Sequence, residues 1–415
     1  MTQPAPDRPR VLLLTHRVPF PPDKGDRIRT FHLLRELTEH VRVWLACPAD
    51  EPVTAETRNT LHQLCERVAV VPVGRSRRWL RAAWGFAQGR SLSEGVFASR
   101  PLARVLRQWA DEVTFHAVVA SASSVVPYFR DPVFARVPKI VDLIDVDSQK
   151  WLDYAAASRF PKSWLYRLEA VRVRRLEQSL VGWAKTISVV SLVEAKIYEA
   201  LTYPGAATVA TNGVDTEFFA PAAREEPQTV AFVGALDYRP NVDGVRWFVQ
   251  QVWPEVRSRF PTAEFRIIGR HPVAAVRALA SVPGVRLVGQ VPDIRPFAAS
   301  VAVVVVPLRL ARGVQNKLLE AMAMGRAVVA SPASAAPLPV KAGEHLLIAS
   351  TPAEWVESIT ALLANADRRH SFGRAARNYV QEYHNWERCL RPLIAAIVTA
   401  EDHAQTPLSA TPRPE

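Results

Sequence analysis

The chain has 415 residues, 48% hydrophobic and 22% charged, and its 52 Lys and Arg against 40 Asp and Glu give a formal net charge of +12. This ordinary globular composition excludes a disordered or fibrous chain, and the length suits two domains better than one. The positive excess points to an anionic partner without choosing among nucleic acid, anionic lipid and a phosphorylated small molecule; with 44 of the 52 cations arginine, uniform arginine usage is the plainer explanation.

Short apolar, β-branched runs alternate with helical patterns along the chain. The first half places strands at Arg10–Thr15, Val41–Cys47, Val68–Val73, Ala117–Ser121, Lys139–Leu143, Thr186–Ser191 and Thr208–Thr211. The second half places them at Thr229–Gly234, Glu264–Gly269, Val285–Gly289, Val301–Pro307, Ala327–Ser331 and His345–Ala349. Stretches such as Arg27–Glu39 and Trp355–Ala364 carry the helical period. Near-continuous apolar strands in βα alternation predict parallel sheets covered on both faces. The pattern restarts after the polar segment Pro221–Gln228, where the boundary is placed. The expected division is residues 1–221, 222–385, a last helix at 386–400 and a loose tail at 401–415.

The charge is unevenly shared. Residues 1–205 hold 30 Lys and Arg against 21 Asp and Glu, a net of +9, and the rest of the chain holds +3. Arg75–Arg107 and Lys162–Arg175 concentrate it, and the overlapping stretches Arg75–Gln88 and Ser163–Ala184 mix arginines with Trp79, Leu80, Trp84, Trp164 and Trp183. Both read as basic amphipathic helices, able to meet anionic headgroups or to pack on a sheet. For Ser163–Ala184 the sheet is preferred, because the apolar stripe is long enough to be core. The longest apolar runs fall far short of the roughly 20 residues a membrane span needs, and Val11–Leu14 is too short for a secretory signal. Three scattered cysteines without a CxxC pair suggest a reducing compartment and no structural zinc.

The most informative segment is Val301–Ser331, reading VAVVVVPLRLARGVQNKLLEAMAMGRAVVAS. A buried strand ends at Pro307, a loop carries Gly313, and a helix runs from about Gln315 to Met324 until Gly325 stops it. A helix that starts beyond the carboxyl end of a parallel strand presents unpaired N–H groups to an anion, and Gly313 allows close backbone approach. Lys317 and Glu320 share one helix face. Lys317 suits phosphate oxygens, and Glu320 suits the two hydroxyls of a ribose. An i,i+3 surface ion pair is the alternative.

GVQNKLLEAMAMGRAVVAS resembles the donor-nucleotide segment of glycosyltransferase family 4, retaining enzymes of the GT-B fold. THRVPFPPDKGDRIRTFHLLREL, TNGVDTEFFAP, VAFVGALDYRPNVDGVRWF and VRLVGQVPDIRPFAASVAVVVVPL resemble other segments of that family in the same order. With VDLIDVDSQKW, the set is most similar to a subgroup associated with bacterial exopolysaccharide and exosortase loci. The resemblance implies an α/β GT-B fold, two Rossmann-like parallel-sheet domains facing a cleft, with the last helix crossing back to the first domain. It implies a glycosyltransferase that moves a sugar from a nucleotide-diphosphate sugar to a glycan or lipid-linked acceptor. It also implies retention of configuration, with the leaving phosphate taking the acceptor proton. No bound metal or other cofactor is expected.

The family's ribose-binding glutamate matches Glu320. Its usual second glutamate, eight positions earlier, is replaced by Arg312. The glycine that opens its donor loop matches Gly234, but Ala235 and Asn241 stand near the places of its two phosphate-binding cations. Arg239 and Lys317 are the available substitutes. The expected donor-binding set is therefore Gly25, Gly234, Arg239, Asn241, Gly313, Asn316, Lys317 and Glu320. Gly25 lies in the loop that approaches donor phosphates or acceptor, or else is part of a charged surface turn. The family's histidine late in the first domain has no counterpart in Ala117–Val125, which offers Ser121, Ser123 and Ser124.

Asp142, Asp145 and Asp147 follow one strand and form a cluster suited to a divalent metal, which the implied fold does not need. Asp145 or Asp147 is preferred for orienting the acceptor hydroxyl, and Asp145 with Lys317 makes up the expected catalytic set. The plainer role is a helix cap at Asp147 or Ser148. Ser191 and Glu194 read as a capping box. No HExxH, GxSxG, Walker loop or GxGxxG is present, and no nucleic-acid-binding pattern accompanies the charge. The expected location is cytoplasmic, with peripheral contact at the anionic inner face of the membrane as the variant of it. The rival readings are a nucleotide-sugar-binding scaffold without transfer activity and a nucleotide-sugar epimerase of similar fold.

Overall fold

A computed structural model of the chain describes residues 8–222 and 224–400, so the expected tail at 401–415 lies outside the described residues. The chain forms two compact units. The first comprises Met1–Val189, Ile197–Thr208 and Pro392–Glu415; the second comprises Val190–Lys196 and Val209–Arg391. The change of unit after Thr208 precedes the polar segment Pro221–Gln228, whose last residues already belong to a strand. The helix Trp386–Val398 divides at Pro392, and in the first unit the His116 ring meets the Val398 carbonyl at 2.9 Å.

In the first unit the strands are β1 (Arg10–Thr15), β2 (Arg42–Ala49), β3 (Arg67–Pro72), β4 (Ala117–Ser121), β5 (Lys139–Ile144), β6 (Thr186–Val189) and β7 (Thr208–Val209). They lie in the order β3-β2-β1-β4-β5-β6-β7. The second sheet holds β8 (Glu226–Val233), β9 (Glu264–Ile268), β10 (Val285–Gly289), β11 (Val301–Val306), β12 (Ala327–Ala330) and β13 (Leu347–Ile348), in the order β10-β9-β8-β11-β12-β13. The strands pair in parallel, β1 with β2 and β4, and β8 with β9 and β11. Helices cover both faces of such sheets, which is why β1, β4 and β11 are apolar and buried almost throughout. In each unit the strand order reverses beside the first strand, at β1/β4 and at β8/β11, and the carboxyl ends there form the crevice typical of open α/β sheets.

One row of the first sheet is polar although fully buried: Thr15, Ser121, Asp142 and Ser188 are register neighbours on β1, β4, β5 and β6. Asp142 accepts two hydrogen bonds of 2.8 Å from Arg29 on the helix Gly25–His40, and a third of 2.6 Å from Ser188. Both partners of the ion pair are wholly inaccessible. Removing one would leave the other charge buried without compensation. Arg29→Leu should cost about 3–5 kcal/mol, read as a lowered urea midpoint followed by circular dichroism; an unchanged midpoint would show that the pair contributes nothing.

Candidate functional site

The second unit assembles its polar groups at the β8/β11 reversal. The chain leaves β8 at Gly234, whose N–H bonds the Ile268 carbonyl at 3.0 Å. A Cβ at Gly234 would stand 2.9 Å from Asn241 Nδ2 and 3.2 Å from Lys317 Nζ, so the glycine makes room for both side chains. Asn241 is buried in the first turn of the helix Arg239–Gln251. Its Nδ2 donates to the Ala235 carbonyl at 2.8 Å, which turns Oδ1 outward to accept from Lys317 Nζ at 2.6 Å. Lys317 Nζ also lies 5.1 Å from the centre of the Phe232 ring. The helix Asn316–Ala323 is shorter at its start than expected by one residue, and Gly325 ends it at φ +65°.

Lys317 therefore bonds Asn241 and not Glu320, so the plain surface ion pair is absent. Both side chains are half-buried. Burial pushes the Lys317 ammonium down to about 8 against the opposing pull of Glu320. Burial likewise pushes the Glu320 carboxyl up to about 7 against the pull of Lys317. The two charges do not fully compensate each other, which leaves each open to a ligand.

The loop before this helix is held from several sides. Gly313 adopts φ +57°, a conformation that favours glycine. Arg309 makes a two-pronged bond to Asp243 on the helix Arg239–Gln251, at 2.9 and 2.5 Å. Ser331 Oγ donates to the Leu308 carbonyl at 2.6 Å, and Gln315 Nε2 to that of Arg312 at 2.8 Å. A Cβ at Gly244 would meet the Pro307 carbonyl at 2.6 Å, so this helix packs closely on the end of β11. Sequence reading missed Asp243, Gly244, Arg309 and Ser331, because nothing local in the sequence shows which loop each one braces.

The remaining expected donor residues divide. Asn316 Oδ1 accepts from Asn212 Nδ2 at 2.9 Å, and its Nδ2 is buried without a hydrogen-bond partner among the described residues. Arg239 is exposed on the first turn of its helix. Arg312 lies 3.5 Å from Glu194, which is 1% exposed. Ser191 Oγ caps the Glu194 N–H at 3.2 Å, and the Glu194 carboxylate faces the arginine.

Gly25 and Asp145 belong to the first unit. Gly25 opens the helix Gly25–His40 and has no atom within 4 Å of where a Cβ would sit. Beside it Asp26 binds His16 Nε2 at 3.0 Å and lies 3.5 Å from Arg17. Burial would raise the Asp26 carboxyl, but His16 and Arg17 outweigh it and hold the group well below the usual range. Asp145 is half-buried and follows Ile144, which has φ +69°. Asp147 accepts from Ser123 Oγ at 2.6 Å and Lys150 Nζ at 2.9 Å; these outweigh burial and keep its carboxyl low. The helix Asp147–Ala156 is preceded by Val146 and has no side-chain cap, so neither Asp147 nor Ser148 plays the capping role. Asp142 is committed to Arg29, and among the described residues no group of three His, Cys, Asp or Glu side chains could hold a metal ion.

Two helices of the first unit expose large apolar side chains. Trp79, Leu80 and Trp84 of Arg75–Ala87 are 58%, 71% and 68% exposed. Lys162–Ser179 buries Val173 and Leu176 but exposes Trp164, and Phe160 ahead of it is 81% exposed. The main packing partner of this helix is the helix Asp147–Ala156, so its buried side chains are not shown to form the expected sheet-facing stripe. Arg172 joins the two helices, donating to the Phe86 carbonyl at 2.7 Å and stacking 3.7 Å from the Phe86 ring centre. No helix among the described residues is long and apolar enough to cross a membrane.

Comparison with known proteins bears on both units. A family model described as "Glycosyl transferases group 1" matches residues 227–365, the part that carries Gly234, Asn241, Lys317 and Glu320. A phosphatidyl-myo-inositol mannosyltransferase of Mycobacterium tuberculosis is 31% identical over 187 residues, 41% of this chain and 49% of that protein. The chain thus spans about half the length of the curated relatives it matches. Among solved structures, sucrose-phosphate synthase from Thermosynechococcus elongatus superposes with a TM-score of 0.69 at 16% identity, over 94% of this chain and 100% of that one. Anabaena HepE in complex with UDP-glucose gives 0.65 at 13% identity, over 94% and 99%. The two Rossmann-like parallel-sheet units are those of the GT-B fold.

Proposed function

We propose that the chain is a glycosyltransferase that takes a sugar from a nucleotide-diphosphate sugar and passes it to a glycan or lipid-linked acceptor, in the synthesis of a bacterial exopolysaccharide or other cell-surface polysaccharide. The observation that carries this reading is the chain of contacts Ala235–Asn241–Lys317 at the β8/β11 reversal, with Glu320 on the same helix. The diphosphate would lie against Lys317 and the first N–H groups of the helix Asn316–Ala323, where backbone dipole and ammonium together stabilise the charge that develops on the leaving group. Glu320 would accept the ribose hydroxyls. Retention, with the leaving phosphate taking the acceptor proton, needs no carboxylate base in this unit.

The HepE structure with UDP-glucose and the mannosyltransferase named for a phosphatidylinositol support a nucleotide-sugar donor and a lipid-borne acceptor. A scaffold that binds nucleotide sugars without transfer is the second reading, favoured by Ala235 and Asn241 where two cations are expected. Donor binding without turnover across acceptors would select it. For the membrane, we propose that the exposed Trp79, Leu80, Trp84, Phe160 and Trp164, set among basic residues, rest on an anionic bilayer surface.

A thermal-shift screen of nucleotide sugars should find a donor that raises the midpoint. Glu320→Ala should weaken that donor about 10- to 100-fold by removing charged hydrogen bonds. Its nucleotide-free midpoint should not fall, since a half-buried carboxyl pushed up by burial is lost. Undiminished affinity would remove Glu320 from the ribose site.

Donor affinity should also depend on pH with two limbs. Phosphate binding needs the protonated lysine, so affinity falls as pH rises above about 8. Ribose binding needs the ionised carboxylate, so affinity falls as pH drops below about 7. Calorimetric titration with a sugar diphosphate nucleotide, whose charge is constant over this range, reads both limbs; a flat profile would contradict the assignment of both groups.

Flotation with vesicles of phosphatidylglycerol and phosphatidylcholine tests the membrane surface. Trp79→Ala with Trp84→Ala should cut the floated fraction at least several-fold without lowering the thermal midpoint, because both rings are already exposed. Equal flotation would exclude that helix as the contact.

A further inference from the structure

Residues 212–219, early in the long stretch of chain that builds the second unit, are bonded to both ends of the helix Asn316–Ala323. At the carboxyl end, Arg377 of the helix Ala366–Tyr383 donates to the carbonyl of Ala323, the last residue of the shorter helix. The same guanidinium donates to the carbonyls of Phe219 and Thr216 at 3.3 and 3.2 Å. The Phe219 side chain packs on the cluster of Ala298, Ala299 and Met324. At the amino end, Asn212 Nδ2 donates to Asn316 Oδ1 at 2.9 Å. Asn212 is buried and its backbone is held in turn. His384 Nδ1 donates to its carbonyl at 3.0 Å, and the Val214 N–H donates to the His384 carbonyl at 2.7 Å. A Cβ at Gly213 would stand 2.6 Å from the Trp386 nitrogen, so the turn lies tightly on the chain beyond His384. All of these residues belong to the second unit.

The Asn212 bond decides what Asn316 has left to offer. An amide side chain carries an acceptor oxygen and a donor nitrogen on one rigid group, so fixing one end aims the other. Asn212 Nδ2 can only donate, so it takes the oxygen of Asn316. Asn316 Nδ2 is then screened from solvent and has no hydrogen-bond partner among the described residues. A buried donor left unpaired is costly, and native proteins keep few of them. Asn316 is the first residue of its helix and stands beside Lys317. Gln315 before it makes no side-chain cap; its Nε2 donates back to the Arg312 and Gly313 carbonyls. The first N–H groups of the helix therefore lack a side-chain acceptor from the cap position as well. What this end lacks is a group that accepts several hydrogen bonds and suits a neighbouring ammonium, which describes phosphate oxygens.

We propose that Asn212 is a positioning residue of the donor site: by occupying Asn316 Oδ1 it holds the amide with Nδ2 turned to a phosphate oxygen of the bound nucleoside diphosphate. The proposal rests on the reading of the chain as a glycosyltransferase that uses a nucleotide-diphosphate sugar. Asn212 acts through Asn316 alone, and the test follows from that.

The probes are UDP, GDP, ADP and dTDP, titrated by calorimetry into the full chain. At least one should bind; binding of none counts against the donor site itself, and the proposal falls with it. With the diphosphate that binds, Asn316→Ala should weaken affinity about 10-fold and Asn212→Ala about 3- to 10-fold. The double variant should bind within about twofold of Asn316→Ala, because Asn212 has nothing to orient once the amide is gone. Affinity unchanged by Asn212→Ala overturns the positioning role and leaves the donor site standing. In the double variant, a further loss as large as that of Asn212→Ala alone marks a general brace of the helix, and it too overturns the proposal. Wild-type protein gives a second readout that does not depend on how Asn212→Ala folds. With isotope-labelled asparagine, the side-chain amide signals missing from the Asn316→Ala spectrum should move when the diphosphate is added. If they stay in place, Nδ2 does not meet the phosphate and the assignment is overturned.

Discussion

A parallel sheet covered on both faces has only one edge at which polar chemistry can be built, the row of loops beyond the strand carboxyl ends. That constraint organises both units. Within their apolar strands Thr15, Asp142 and Ser188 are bound into the fold, Asp142 by Arg29 and Ser188 together, whereas Ser121 Oγ on β4 is buried without a hydrogen-bond partner among the described residues. Most groups with chemistry to spare lie a residue or more past the strand ends: Gly234, Asn241 and Lys317 in the second unit, and His16, Ser123 and Asp147 in the first.

The two edges differ in how their charges are balanced. In the second unit, burial opposes ionisation of both Lys317 and Glu320, and the partial attraction between them does not cancel that penalty. A ligand that brings a diphosphate to one and hydroxyls to the other would supply what each lacks. The neutral Asn241 matters here. By tying Lys317 to the β8 loop through a hydrogen bond and not a salt bridge, it fixes the ammonium without neutralising it. In the first unit the carboxylates Asp26 and Asp147 are held ionised by direct partners, and His16 Nδ1 is left buried without a hydrogen-bond partner among the described residues.

The net charge of +12 takes its meaning from this arrangement. Some of the arginine is committed to partners within the fold: Arg29 to Asp142, Arg369 to Glu225 and Arg266 to Glu226, with Arg309 paired to Asp243 at the surface. The donor edge depends on one lysine and a helix end. The basic helices of the first unit carry exposed tryptophans alongside their charge, a combination that suits a surface and not a small anion.

The alternation of apolar runs and helical periods by itself determined the thirteen strands found among the described residues, and the helix that bears Lys317 and Glu320. These are local properties: a strand buried on both faces must be apolar whatever its neighbours, and a helix must start and stop at residues that tolerate its ends. The order of strands in space, and therefore which loops meet, was decided only by the tertiary structure. Asn241 follows β8 and Lys317 follows β11, far apart in sequence, and they touch because β8 and β11 are neighbours across a reversal. The same holds for Asp142, which reads as a metal-ligand candidate beside Asp145 and Asp147 until Arg29 is seen to claim it. It holds equally for His16, an unremarked histidine after a strand, whose unpaired nitrogen is visible only when every group around it has been placed. A sequence records which groups a chain possesses; which of them remain unsatisfied depends on partners that only folding brings within hydrogen-bond reach.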